Sequence, residues 1–254
     1  MLDDLSVYLA EFIGTAILTL LGCGVVAGVS LARSKSFQGG WIVVTFGWGM
    51  AVAMAVYVIG HISGGHINPA VTLGLASIGD FPWTQVPGYL IAQMAGGATG
   101  AVLVYLVYFA HWSITDDKTT KLGVFGTTPA VRNPVANLIT EIIGTAMLLL
   151  GVVGIGFHEG SVSRGGADLS ALFANGLAPL LIGLLVFAIG LSLGGPTGYA
   201  INPARDLGPR IAHALLPIPG KGTSDWGYAW IPVVGPIIGA VIGAWIWRLT
   251  GFGG

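Results

Sequence analysis

A single cysteine, Cys23, stands in 254 residues, within an apolar run. It excludes an intramolecular disulfide, and without a second thiol it argues against a thiolate metal site. Charge is scarce too: Asp, Glu, Lys and Arg make up 8% of the chain, with a formal net charge of −1. Such a balance offers no field to nucleic acid or anionic lipid, and no nucleic-acid partner is expected. His61, His66, His111, His158 and His213 show no metal-ligand spacing. Nor is there the nucleophile and base constellation an enzyme needs, so no metal, cofactor or catalytic residue is expected.

What the chain has instead is apolar length. It is 54% hydrophobic, contains 42 glycines and has a mean hydropathy of +0.83, which places it among polytopic membrane proteins. Six runs reach the ~20 residues that cross a ~30 Å hydrocarbon core; they lie at roughly 7–31, 40–59, 86–110, 135–157, 177–193 and 228–247. The start, "MLDD", is acidic, and the run after it is too long for a cleaved signal, so the first segment is expected to stay. Polar connectors separate the runs, including "RSKSFQGG" from 33 and "HWSITDDKTTKLGVFGTTPAVRNP" from 111. Two further apolar stretches, 69–78 and 203–215, are too short to span, and each follows an asparagine directly. They read as re-entrant segments.

The sequence repeats itself. "AEFIGTAILTLLG" from Ala10 recurs as "TEIIGTAMLLLGV" from Thr140, "SGGHINPA" recurs as "TGYAINPA", and "QMAGGATGA" from Gln93 has a weaker echo in "PIIGAVIGA" from Pro236. Glu11 and Glu141 are 130 positions apart, Asn68 and Asn202 134. The organisation predicted is a first repeat at 1–110 with half-helix 69–78, an extended connecting loop at 111–134, and a second repeat at 135–254 with half-helix 203–215. Three crossings per repeat is odd, so the second repeat must run inverted. Two half-helices of ~10 residues are each ~15 Å long, and end to end they make one bilayer core. Asn68 and Asn202 are suited to N-cap them, with Pro69 and Pro203 at the first helical position, where a missing N–H costs nothing. The caps would face each other at the midplane, each with its NH₂ free. Non-helical backbone at that depth must be buried or line a watery cavity; Gly64, Gly65, His66, Gly198 and Ala200 would turn carbonyls toward it.

Paired Asn-Pro-Ala motifs (Asn68, Pro69, Ala70 and Asn202, Pro203, Ala204), Glu-x-x-Gly-Thr at Glu11 and Glu141, and "NPARDLGP" resemble the major intrinsic protein family of aquaporins and aquaglyceroporins, over essentially the whole chain. Aspartate after Asn-Pro-Ala-Arg is similar to the glycerol-facilitator branch. The resemblance implies an all-α membrane fold of six transmembrane helices plus two re-entrant half-helices, an inverted repeat in an aquaporin-like right-handed bundle. It implies a passive channel in a lipid bilayer for glycerol, water and other small neutral solutes, excluding ions and protons, and a homotetramer. The family's constriction carries over to Trp48, Gly190, Tyr199 and Arg205. Gly190 replaces the histidine of water-specific channels, which implies a wider pore; Tyr199 departs from the phenylalanine of glycerol facilitators. The hydroxyl of Tyr199 is expected to point into the lumen, narrowing it and favouring compact solutes.

The residues themselves agree about Arg205. At the third helical position after Asn202 the helix dipole disfavours a cation, so something other than local helix stability holds it there, and a pore-facing role is favoured. Asp206 points away from its neighbour and better suits Arg210, four residues on. Glu11 and Glu141 are read as structural acceptors for re-entrant backbone N–H groups rather than as proton relays, and His66 as a brace for its loop. A secondary transporter also uses inverted repeats and broken helices, but it would need coupling acids near the midplane. A channel mainly for water or another compact solute, such as dihydroxyacetone, hydrogen peroxide or undissociated lactic acid, is the nearer alternative. For topology, Arg33, Lys35, Lys118, Lys121, Arg132 and Lys221 lie on one face against Arg164 and Arg248 on the other. The positive-inside rule would put the richer face inside, whereas the resemblance implies a cell-membrane protein with both termini cytoplasmic; we follow the resemblance.

Overall fold

The computed structural model describes residues 2–158, 163–164 and 167–251. Its first three long helices are α1 (Leu2–Ser30), α2 (Trp41–Ser63) and α4 (Val86–Val107), with the short α3 (Pro69–Ser77) inserted after α2. After the short α5 (Lys118–Phe125) come α6 (Pro134–Phe157), α7 (Ser170–Leu172), α8 (Ala178–Leu193), the half-helix α9 (Pro203–Leu215) and α10 (Ile231–Thr250). A two-residue antiparallel ladder pairs Ser163 with Asp168 and Arg164 with Ala167. Among the described residues six helical runs are long and apolar enough to cross a membrane, and the fold is a multi-pass helical bundle. The side chain of Arg164, counted above for topology, lies outside the described residues.

The connection at 111–134 contains a short helix of its own, α5. The Asp117 carboxylate caps that helix, accepting from the Thr119 and Thr120 amides at 3.1 and 2.9 Å, and bonds from the Thr120 hydroxyl and these amides hold its pKa below the usual carboxylate range. The fifth span begins earlier than 177, running from Ser170 to Leu193. Pro179 supplies no N–H and crowds the carbonyl four residues back, and the turn before it opens into a π-helix, Phe173–Leu177. The Tyr57 hydroxyl donates to the Gly176 carbonyl there at 2.6 Å.

The helices pack with a symmetry that follows from the repeat. α1 lies against α4, as α6 lies against α10, and α2 meets α8. Close approach is set by small residues, the usual means of association among membrane helices: a Cβ on Gly96 would sit 2.3 Å from the Phe12 carbonyl oxygen, and one on Gly239 2.3 Å from that of Ile142. Each half-helix crosses to the other repeat, α3 packing on α10 and α9 on α4. Neither repeat therefore encloses its own half-helix.

Candidate conduction pathway

The two re-entrant segments meet through their caps. Asn68 Oδ1 accepts from Ala70 N at 2.9 Å, and Asn202 Oδ1 accepts from Ala204 N and Arg205 N at 2.9 and 3.2 Å. Pro69 and Pro203 begin the helices. Contrary to the expectation of free side-chain amides, both are engaged. Asn68 Nδ2 donates to the Ile201 carbonyl and Asn202 Nδ2 to that of Ile67, both at 2.8 Å. The half-helices are thus cross-locked, and each amide keeps one N–H for another partner.

Ile67 and Ile201, just before the caps, have φ of 44° and 43°, a left-handed conformation that costs a β-branched residue about 1–3 kcal/mol. It persists because both sides of each isoleucine are held. The carbonyl receives the opposite asparagine, and the amide donates to a buried glutamate: Ile67 N to Glu11 Oε2 at 2.7 Å, Ile201 N to Glu141 Oε2 at 2.8 Å. Glu11 Oε1 also accepts from His66 N at 3.0 Å and the Ser63 hydroxyl at 2.7 Å, and Oε2 from Gln93 Nε2 at 2.7 Å. Glu141 Oε1 accepts from Ala200 N at 3.0 Å. His66 lies 3.0 Å from the Thr72 hydroxyl and packs on Phe81 and Tyr89.

With the N–H groups directed outward to the glutamates, the carbonyl side of each loop is left over. The carbonyl oxygens of Gly64, Gly65, His66, Gly198, Tyr199 and Ala200 accept no hydrogen bond among the described residues. All six residues border open space. Backbone carbonyls seek a hydrogen-bond partner, so a row of unpaired ones along a cavity is a row of acceptors for whatever passes.

Three cavities lie in series. A central one of about 140 Å³ is bordered by Asn68, Asn202, His66, Val52, Val186 and Leu148, among others. Below it, sharing Val56, Gly64, Leu75, Val152 and Ile182, opens a vestibule of about 810 Å³ that includes His61, Asp80 and Asn175. Above it a vestibule of about 340 Å³ is walled by Trp41, Val44, Thr127 and Gly198. The upper and central cavities have three bordering residues in common: Trp48, Tyr199 and Arg205.

That neck differs from expectation at Gly190 and Tyr199. At Trp48 the guanidinium carbon of Arg205 lies 3.8 Å over the indole ring, a cation–π contact. Arg205 is buried, and its side chain makes no protein hydrogen bond among the described residues, so its donors remain for the cavities it borders. Gly190 borders neither cavity. It acts from behind: a Cβ there would lie 2.8 Å from Tyr199 Cζ, so the glycine makes room for the phenol. The Tyr199 hydroxyl neither enters the lumen nor bonds the backbone; it is buried and lacks a partner among the described residues.

Asp206, beside Arg205 in sequence, turns away. Its carboxylate meets Arg210 Nε at 2.7 Å, with both side chains fully buried, and accepts from Thr127 N and the Thr127 hydroxyl at 2.6 and 2.7 Å. Arg210 donates onward to the Ser224 and Thr127 carbonyls. The pair fastens the outer loops onto α9. No group of His, Cys, Asp and Glu close enough to hold a metal occurs among the described residues.

Sequence reasoning missed Gln93, Ser63, Thr127 and Trp41. Gln93 opens one of the repeated motifs and Ser63 heads another; a polar side chain in an otherwise apolar span was their available signal. Thr127 and Trp41 carry none, since only the folding of the 111–134 connection and the α2–α8 pairing bring them to the neck.

Comparison with known proteins bears on the whole of this arrangement. The sequence profile described as Major intrinsic protein matches residues 2–247. The chain is 61% identical over 240 residues to the "Probable glycerol uptake facilitator protein" of Thermotoga maritima, covering 94% of this chain and 97% of the relative. It is 57% identical over 233 residues to the "Glycerol uptake facilitator protein" of Bacillus subtilis, covering 92% and 80%. The X-ray structure of the aquaglyceroporin from Plasmodium falciparum superposes with a TM-score of 0.81 at 29% identity, covering 96% of this chain and 95% of the other. Asparagine caps cross-locked between two half-helices, in a chain matched over residues 2–247, leave no doubt of kinship: the chain belongs to the major intrinsic protein family.

Proposed function

We propose that the chain is a passive membrane channel for glycerol, water and other small neutral solutes, with the neck of Trp48, Tyr199 and Arg205 as its selectivity filter. The observation that carries this reading is that, among the described residues, these three alone border both cavities at the neck. The relatives' names supply the solute class. A polyol entering from above would lay hydroxyls against the free Arg205 donors and the unpaired Gly198, Tyr199 and Ala200 carbonyls, and carbons against Tyr199, Val52 and Val186. At Asn68 and Asn202 the remaining amide N–H groups would receive its oxygens. Cations would meet the Arg205 charge and two half-helix N-termini aimed inward, a barrier of fixed charge and dipole.

In this reading residues 1–110 and 135–254 are the two inverted repeats, joined by 111–134. Each chain is a complete pore, four chains assemble, and both termini lie on the cytoplasmic side of the cell membrane. The charge count that opposes this orientation loses weight because three of its six cations have local duties. Lys221 caps α9 through the His213, Ala214 and Leu216 carbonyls, Lys121 donates to Pro219 and Arg132 pairs with Asp225.

Swelling of proteoliposomes across a solute series tests the assignment. Glycerol and water should pass, with rates unaffected by an uncoupler; dependence on a proton gradient would overturn it in favour of coupled transport. The small volume of the central cavity, about 140 Å³, favours a second reading, a channel mainly for water or another compact solute, and the same series separates the two by the ratio of glycerol to water.

A further inference from the structure

Tyr199 is held in an unusual way. Its backbone is left-handed, with φ of 37°, and its hydroxyl, buried and unpartnered, contributes no hydrogen bond to fix the ring. Packing alone sets its pose. Two glycines of α8 and the turn after it form one wall: a Cβ on Gly190 would lie 2.8 Å from Tyr199 Cζ, and one on Gly194 2.5 Å from Cδ1. The other wall is an indole. The Trp41 and Tyr199 rings meet edge to face, centroids 5.7 Å apart at 83°, a favoured aromatic geometry. Trp41 is itself pegged, its Nε1 donating to the Gly190 carbonyl at 3.0 Å. The glycine that receives the phenol therefore also holds the residue that confines it. Trp41 begins α2 and borders the upper cavity, 41% exposed.

We propose that Trp41 is a positioning residue for selectivity: by confining the ring of Tyr199 it sets the size limit of the neck, without itself forming the neck. The proposal rests on the reading of Trp48, Tyr199 and Arg205 as the filter. A phenol with no anchor of its own rotates into volume freed beside it, and the Trp41 indole occupies that volume.

The test uses purified full-length protein in proteoliposomes, with light-scattering permeabilities for water, glycerol and a five-carbon polyol. Trp41→Ala should raise the ratio of five-carbon polyol to water several-fold. Trp41→Phe, which keeps the aromatic edge and loses the N–H, should raise it less. In a Tyr199→Ala background Trp41→Ala should add nothing, since its effect acts through the phenol. A purely structural tryptophan would lower all three fluxes together and leave the ratio in place. If Tyr199→Ala changes the ratio and Trp41→Ala does not, or if their effects add, the positioning role is overturned while the filter stands. If neither changes it, the filter reading falls and the proposal with it. Trp41→Leu, which retains apolar bulk, carries the same comparison should the alanine variant fail to insert.

Discussion

The re-entrant loops ending at Asn68 and Asn202 share a backbone plan and carry different side chains on it. In both, a glutamate from the first helix of a repeat takes the loop amides, an isoleucine adopts a left-handed turn, and an asparagine caps its own half-helix while donating to the other loop. The first loop then continues Ala70, Val71, Thr72, where the second has Ala204, Arg205, Asp206. Gly65 in the first stands where Tyr199 stands in the second, and His66 where Ala200 does. Of the two loops only the second reaches the neck, with Tyr199 and Arg205 beside Trp48 of α2, while the first supplies support. A shared scaffold with unequal decoration places the barrier off centre, on the face away from the chain's ends. Substitutions that make one loop resemble the other probe this division, and the expected effects fall in the following order.

The largest should come from Asp206→Ala. It leaves the fully buried Arg210 without its carboxylate and orphans the Thr127 amide; removing one partner of a buried ion pair costs about 3–5 kcal/mol. The matching change, Thr72→Ala, removes neutral hydrogen bonds with His66, Gln93 and the Asn68 carbonyl, each worth about 1 kcal/mol. Denaturation midpoints in detergent should separate the two variants widely. Equal midpoints would mean that the ion pair is ornamental and the loops are alike in support as well as plan.

The glutamates come next. Glu11→Ala and Glu141→Ala each orphan two buried loop amides, at about 1–3 kcal/mol apiece. The first loop has a reserve, since Gln93 Oε1 is buried and without a partner among the described residues and an amide flip could offer it to the orphaned N–H groups. In the second repeat the echo of Gln93 is Pro236, which has nothing to offer. Glu141→Ala should therefore melt lower than Glu11→Ala. The reverse order would assign the greater dependence to the first loop.

Most of this plan was legible in the sequence. The two Asn-Pro-Ala motifs and the doubled glutamates fixed six spans, two half-helices and their inversion, because each is a local pattern with a local physical cause: a cap, a proline at N1, an apolar run. Elements whose cause is tertiary were not legible. α5 sits in a stretch without strong apolar periodicity, and the π turn before Pro179 answers to one residue several positions ahead. The neck shows the same boundary. Trp48, Tyr199 and Arg205 could be named from the family resemblance, but that Arg205 stacks on Trp48, or that Gly190 serves Tyr199 from outside the lumen, depends on how α2, α8 and the second loop converge.

Arg205→Val gives the second loop the residue of the first, Val71. Arg205 side-chain donors have no protein partner among the described residues, so the fold should tolerate the change and glycerol flux should fall only modestly. Proton or small-cation conductance in liposomes should rise, because one fixed charge of the barrier is gone. Undiminished ion exclusion in a folded variant would move the barrier to the half-helix dipoles, which the two loops share, and the functional asymmetry would rest on Tyr199 alone.

The smallest expected effect belongs to Tyr199→Phe. On sequence grounds the hydroxyl was expected in the lumen, so that its removal would admit longer polyols. The structure puts the hydroxyl out of reach: it is buried, without a partner among the described residues, and the Cζ that bears it lies against the space kept by Gly190. Removing it deletes no bond and opens no lumen volume. Permeabilities to glycerol and to a five-carbon polyol should match those of the parent protein. Stability should rise slightly, since an unsatisfied buried polar group costs about 1–3 kcal/mol and its loss leaves only a small void beside Gly190. A selective gain for the five-carbon polyol would show that the hydroxyl reaches the lumen during conduction, and that the ring moves more than its packing between Gly190 and Trp41 implies. Unchanged selectivity with a higher melting temperature would assign the phenol's influence on the neck to its ring, which Gly65 in the first loop lacks altogether.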